Sequence, residues 1–72
     1  MNKARRQQLH AAIAEIDVHV SVLKSLLERE QAALDNLPSS LQESESAESM
    51  QDAIDNLQEV IDDIDLDPIR LL

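Results

Sequence analysis

The chain has 72 residues and contains no glycine, no aromatic residue and no cysteine, and its formal net charge is −9. The lack of glycine excludes phosphate-cradling loops and the nucleophile elbow, which need backbone without a Cβ at fixed positions. The lack of aromatic residues excludes a base-stacking platform, and so negative a chain repels a phosphate backbone. Hydrophobic residues make up 43% of the sequence, more than a disordered acidic tail carries. We therefore expect one small folded domain.

Apolar residues recur along the first half of the chain in steps of three, four and seven, the spacing of one helical face. Only Glu30 interrupts this seam, and Pro38 restricts the residue before it and so ends the helix. The pattern predicts a helix over residues 3–35. The seam comprises Leu9, Ile13, Ile16, Val20, Leu23, Leu27, Leu34 and Leu37.

The second half divides into a connector, a helix and a tail. Serines at the capping-box spacing lie in the predicted connector, residues 36–45, and favour helix starts there. A second apolar seam predicts a helix over residues 46–63. We expect residues 64–72 to form an extended, non-helical tail around Pro68. The second seam comprises Ala47, Met50, Ile54, Leu57, Ile61 and Ile64.

The short connector predicts an antiparallel helical hairpin, so the fold class is all-α. Residues 36–69 carry ten acids and no Lys or Arg, and the hairpin would bring the last of these acids towards the basic N-terminus. The extended tail could cover the open end of the first helix along Leu9, Ala12 and Ile13, dock on another protein, or fray. We expect ion pairs between Lys3, Arg5 and Arg6 and the acids Asp62, Asp63, Asp65 and Asp67.

The first helix carries a second apolar stripe on another side. A helix that is apolar on two sides needs two neighbours, and a hairpin provides one. We therefore predict self-association through this stripe into a four-helix bundle or a higher oligomer, with a dimer as the minimum. The predicted interface comprises Ala11, Val18, Val22, Leu26 and Ala33.

No residue pattern indicates an enzyme, a cofactor or a metal site. The acids that follow Asp62 have the alternating spacing of a calcium loop, but Pro68 occupies the position that requires glycine. His10 and His19 are nine residues apart and project in opposite directions from one helix. The longest apolar run near the N-terminus, residues 11–14, is too short for a secretion signal or a membrane span. We expect a cytoplasmic protein that does not bind membranes.

The central stretch resembles a group of short acidic proteins of bacteria, phages and mobile elements. The resemblance lies in the sequence Leu-Asp-Asn-Leu-Pro-Ser-Ser-Leu-Gln-Glu-Ser at residues 34–44, in residues 50–57 and in the basic start of the chain. It covers about residues 1–64, and the tail departs from the group. The resemblance implies a helical hairpin but no established activity.

These features lead to three hypotheses for function. The first is a small acidic inhibitor of a host enzyme, in which carboxylates of the second helix take the place of nucleic-acid phosphates on a basic target protein. The second is an oligomeric sponge that gathers copies of Lys3, Arg5 and Arg6 around an anionic nucleotide. The third is a structural assembly module in which the acids only confer solubility. The acids of the first hypothesis are Glu48, Asp52, Asp55, Glu59, Asp62 and Asp63.

Overall fold

The computed structural model describes all 72 residues, and every regular element in it is helical. Helix α1 spans Lys3–Asp35, a 3-10 turn spans Ser39–Leu41, α2 spans Glu45–Asp63, and α3 spans Asp67–Arg70. The molecule measures 59 × 16 × 13 Å, so it is a rod little longer than α1, which extends about 50 Å at 1.5 Å per residue. The predicted all-α class is confirmed.

Side-chain caps explain where the two long helices begin. The Asn2 side chain accepts a hydrogen bond from the Arg5 backbone N–H at 2.8 Å, which satisfies one free donor of α1. Helix α2 begins one residue earlier than predicted because Ser44 is its N-cap. The Ser44 hydroxyl accepts from the Ala47 N–H at 3.3 Å and donates to the Leu41 carbonyl at 2.6 Å.

Gln42 closes the other end of α1. Its amide nitrogen donates to the Leu37 carbonyl at 2.8 Å and to the Leu34 carbonyl at 3.3 Å. The Leu34 carbonyl belongs to the last turn of α1 and also accepts from the Leu37 backbone N–H at 3.2 Å, whereas the Leu37 carbonyl lies just beyond the helix. The Gln42 side chain therefore fixes the connector to the end of α1.

Helix α2 packs against the C-terminal half of α1. Leu34, Ala47 and Ile54 form the buried core, and Leu27, Leu37 and Met50 pack around it. Only two further residues are buried, Ile61 in α2 and Ile13 near the start of α1. So small a core provides little hydrophobic stabilisation, at about 1.5–3 kcal/mol for each large side chain fully buried.

The C-terminal segment differs from the extended tail that we predicted. Residues Asp67–Arg70 form one helical turn, with Pro68 in the first turn, where no backbone N–H is needed. A helical turn is shorter than extended chain, and Arg70 lies level with Asp17, Ile13 and His10 of α1. No ion pair joins the segment to Lys3, Arg5 or Arg6.

Arg70 joins the tail to α1 through a bidentate ion pair with Asp17. Its two terminal nitrogens donate to the two carboxylate oxygens at 2.6 and 2.9 Å. Arg70 also lies 3.5 Å from the carboxylate of Asp67. These are the only ion pairs in the molecule, so the predicted pairs between the basic N-terminus and the acids from Asp62 onwards are wrong.

The Asp17–Arg70 pair makes tail docking sensitive to acid. The hydrogen bonds from Arg70 lower the pKa of Asp17, and they raise the pKa of Arg70, which stays charged. A carboxyl group whose pKa is lowered in the docked state stabilises that state above its ordinary pKa of about 3.9. That stabilisation is lost as the pH falls through the lowered pKa.

We expect Asp17→Asn to release the tail at neutral pH, as acid does in the unmodified chain. Hydrogen exchange of the backbone amides in residues 67–72 should become severalfold faster, because local opening no longer breaks a charged contact. Glu28→Gln, which removes another exposed carboxylate of α1, is the control and should leave the exchange unchanged. Equal exchange in Asp17→Asn and the unmodified chain would contradict a tail held by this pair.

Candidate functional site

The six predicted acids of α2 form one solvent-facing surface, here called the acidic face: Glu48, Asp52, Asp55, Glu59, Asp62 and Asp63. All six are exposed. From Glu48 to Asp62 they follow in steps of four and three, which aligns them along one side of the helix over about 21 Å. The buried residues Ala47, Ile54 and Ile61 lie on the opposite side, against α1.

Two glutamines support the acidic face from its edge. The Gln51 amide donates to the Asp55 carboxylate at 2.8 Å, and the Gln58 amide donates to the Asp62 carboxylate at 2.8 Å. Each pair joins residues four apart, and the pairs are seven residues apart, so they repeat on one side of α2. Sequence analysis missed these glutamines, although the spacing of four was readable.

No cation neutralises the acidic face. The ion pairs of the chain involve Arg70 with Asp17 and Asp67, and none includes a residue of the face. Residues 1–35 carry five basic and five acidic residues, whereas residues 36–72 carry one and ten. The entire formal charge of −9 therefore arises from the second half of the chain.

The predicted interface residues of α1 form a second exposed surface, here called the apolar stripe: Ala11, Val18, Val22, Leu26 and Ala33. All five are exposed. The three large residues of the stripe are well exposed to solvent: Val18 is 62% exposed, Val22 50% and Leu26 46%. At 100° per residue the stripe points away from the side of α1 that contacts α2. The contacts between α1 and α2 do not cover it.

The basic N-terminal residues do not converge. Lys3, Arg5 and Arg6 are exposed and none makes an ion pair. Arg6 donates to the Met1 carbonyl at 3.1 Å. At 100° per residue the directions of the three side chains spread over about 160° around the axis of α1. One chain therefore does not place them around a single anion.

The remaining polar groups to consider are an aspartate before α3, two histidines and the lining of one open cleft. Asp65 accepts a hydrogen bond from the Asp67 backbone N–H at 3.0 Å, an ordinary turn contact before α3. No group of three or more histidines or acids is placed to hold a metal ion, and His10 and His19 are both exposed and apart. An open cleft of about 550 Å³ between the helices and the tail is lined by Lys24, Arg70 and several carboxylates.

No family model, curated protein or solved structure matches this chain. None of its helices is long and apolar enough to cross a membrane. The acidic face and the apolar stripe are the two extended exposed surfaces of the molecule.

Proposed function

We propose that this chain is a non-enzymatic protein-binding module: an antiparallel helical hairpin that self-associates through the apolar stripe and presents the acidic face to a basic protein. The observation that carries the proposal is the set of six exposed carboxylates with no cation partner. A row of like charges on a helix is unfavourable in the free protein, since like charges repel. A basic partner would remove this repulsion.

The spacing of the acidic face suits a protein that normally binds nucleic acid. Five carboxylates over about 21 Å give one charge per about 5 Å of helix, whereas one strand of duplex DNA carries one phosphate per 3.4 Å. The packing of α2 on α1 keeps these charges on a rigid rod. The target class that we propose is a basic, nucleic-acid-handling enzyme of a host cell, which the module inhibits by occupying its groove.

Neutralising the centre of the acidic face is expected to weaken target binding at least tenfold. Asp52→Asn, Asp55→Asn and Glu59→Gln together keep the shape of α2 and remove three charges, so they slow electrostatically steered association. A target would first be captured from host lysate and purified. Its association rate with each variant would then be measured by surface plasmon resonance at several salt concentrations.

The matched control removes three charges outside the face, through Glu28→Gln, Asp35→Asn and Glu43→Gln, and should change the rate less than twofold. Duplex DNA should compete with the module for the target. Equal rates for the two triple variants would contradict the proposal. Binding that survives the face variant but is lost in Arg5→Ala with Arg6→Ala would indicate an anionic ligand instead.

A further inference from the structure

The spacing of residues along the apolar stripe is symmetric about Val22. Val18 and Leu26 lie four residues on either side of it, and Ala11 and Ala33 lie eleven residues on either side. Glu15 and Arg29 fall on the same side of α1, each seven residues from Val22. The steps are therefore four, three, four, four, three and four, and read the same from either end.

We propose that a second copy of this chain occupies the stripe, with the two α1 helices antiparallel and the two-fold axis at Val22. This inference rests on the self-association in the proposed function and specifies its geometry. In this register Val22 meets Val22 of the second copy, Val18 meets Leu26, and Ala11 meets Ala33. The same patch is used on both subunits, as a closed two-fold dimer requires.

Charge complementarity selects this arrangement. Glu15 meets Arg29 of the second copy, and the contact occurs twice because of the symmetry. Within one chain both residues are exposed and neither makes an ion pair. A parallel dimer would instead place Glu15 against Glu15 and Arg29 against Arg29, which is unfavourable.

The single chain exposes more surface than a compact monomer of its mass, as expected if a second copy covers part of it. Its accessible surface is 5585 Å², whereas a compact monomer of 8.1 kDa exposes about 4,500 Å². The excess, about 1,100 Å², exceeds the roughly 800 Å² that each partner buries in a standard interface. One such dimer contact would therefore cover an area of the expected size.

The proposed dimer places the charged regions where they do not interfere with one another. Because the stripe faces away from α2, the two α2 helices lie on the outside with their acidic faces in solvent. The register sets residues 3–6 level with residues 38–41 of the second copy, next to the acidic start of its α2. The two basic N-termini lie at opposite ends, so the dimer does not gather them around one nucleotide.

A charge exchange tests the register. Glu15→Arg alone, or Arg29→Glu alone, creates two like-charge contacts and should weaken dimerisation at least tenfold. The double variant exchanges the charges and should restore the dissociation constant to within about threefold of the unmodified chain. The measurement is sedimentation equilibrium of the isolated protein, in which the unmodified chain should have twice the mass of 8.1 kDa. Glu28→Arg, with the same charge change outside the stripe, is the control.

Cysteine cross-linking distinguishes the orientations, since the chain has no cysteine of its own. Val22→Cys should form a disulfide-linked dimer in air, as should Val18→Cys combined with Leu26→Cys. Leu26→Cys alone should not, because the two copies of residue 26 are about 12 Å apart along the axis. A monomeric unmodified chain, a double charge variant as weak as the singles, or efficient cross-linking by Leu26→Cys would each overturn the proposal. The triple neutralisation of the acidic face should leave the dimer intact, so failure of either proposal is recognised separately.

Discussion

Ile54→Ala is expected to unfold most of the chain at micromolar concentration. Ile54 lies in the middle of the only buried cluster, between Leu34 and the neighbouring turns of α2. Removing a buried isoleucine to alanine costs about 2–5 kcal/mol, because transfer energy is lost and a cavity remains. A single core in a chain this short rarely supplies more than about 3–5 kcal/mol, so the loss is comparable with the whole. The helical circular dichroism signal, followed through urea unfolding, measures the effect.

Val60→Ala is the matched control for Ile54→Ala. Val60 is on the same helix and 55% exposed, and alanine has the higher helix propensity. Its substitution should change the free energy of unfolding by less than about 0.5 kcal/mol. If Ile54→Ala unfolds at the same urea concentration as Val60→Ala, then the packing of α2 on α1 does not determine stability.

Local signals predicted the two long helices well. The bounds of α1 follow from the apolar seam and from Pro38, which acts on the residue before it whatever the tertiary structure. The predicted start of α2 was one residue too late, because several serines in the connector have the spacing of a helix cap. Only the three-dimensional contacts identify Ser44 as the cap. Seam residues also vary in burial: Leu34 is buried, whereas Ile16 keeps 39% of its surface exposed.

The tail could not be predicted from local signals. Pro68 was read as a residue that prevents a helix, but proline is compatible with the first helical turn and here begins one. The contact that positions the tail joins Asp17 and Arg70, which are 53 residues apart in sequence. No spacing rule links such residues. The predicted pairing with Lys3, Arg5 and Arg6 failed because a helical turn is shorter than extended chain, and Arg70 lies level with Asp17.

The candidate surfaces were readable because each depends only on helical periodicity. A stripe of carboxylates or of valines follows from residue numbers once the helix is known. The sequence analysis placed the stripe on a side of α1 away from α2, but it considered apolar residues only. It therefore left out Glu15 and Arg29, which lie on the side of the stripe and complete its symmetry about Val22.

Val22→Asp should weaken dimerisation by at least a hundredfold, or about 2.8 kcal/mol. Val22 lies on the proposed two-fold axis, so one substitution removes the central apolar contact and places two carboxylates against each other in a desolvated position. The thermal unfolding midpoint of the unmodified chain should rise with protein concentration, because association stabilises the folded state by mass action. In Val22→Asp this dependence should disappear over the same range.

The side chain at position 22 faces away from α2, which separates dimerisation from folding in this variant. The Asp17–Arg70 ion pair should therefore still hold the tail in Val22→Asp. The backbone amides of residues 67–72 should exchange hydrogen at the same rate as in a dilute, dissociated sample of the unmodified chain. Val22→Ala provides the graded comparison, since it shortens the central contact without adding charge and should weaken the dimer less than Val22→Asp does. A Val22→Asp protein that sediments as a dimer at the unmodified dissociation constant would show that this face of α1 is not where two copies meet.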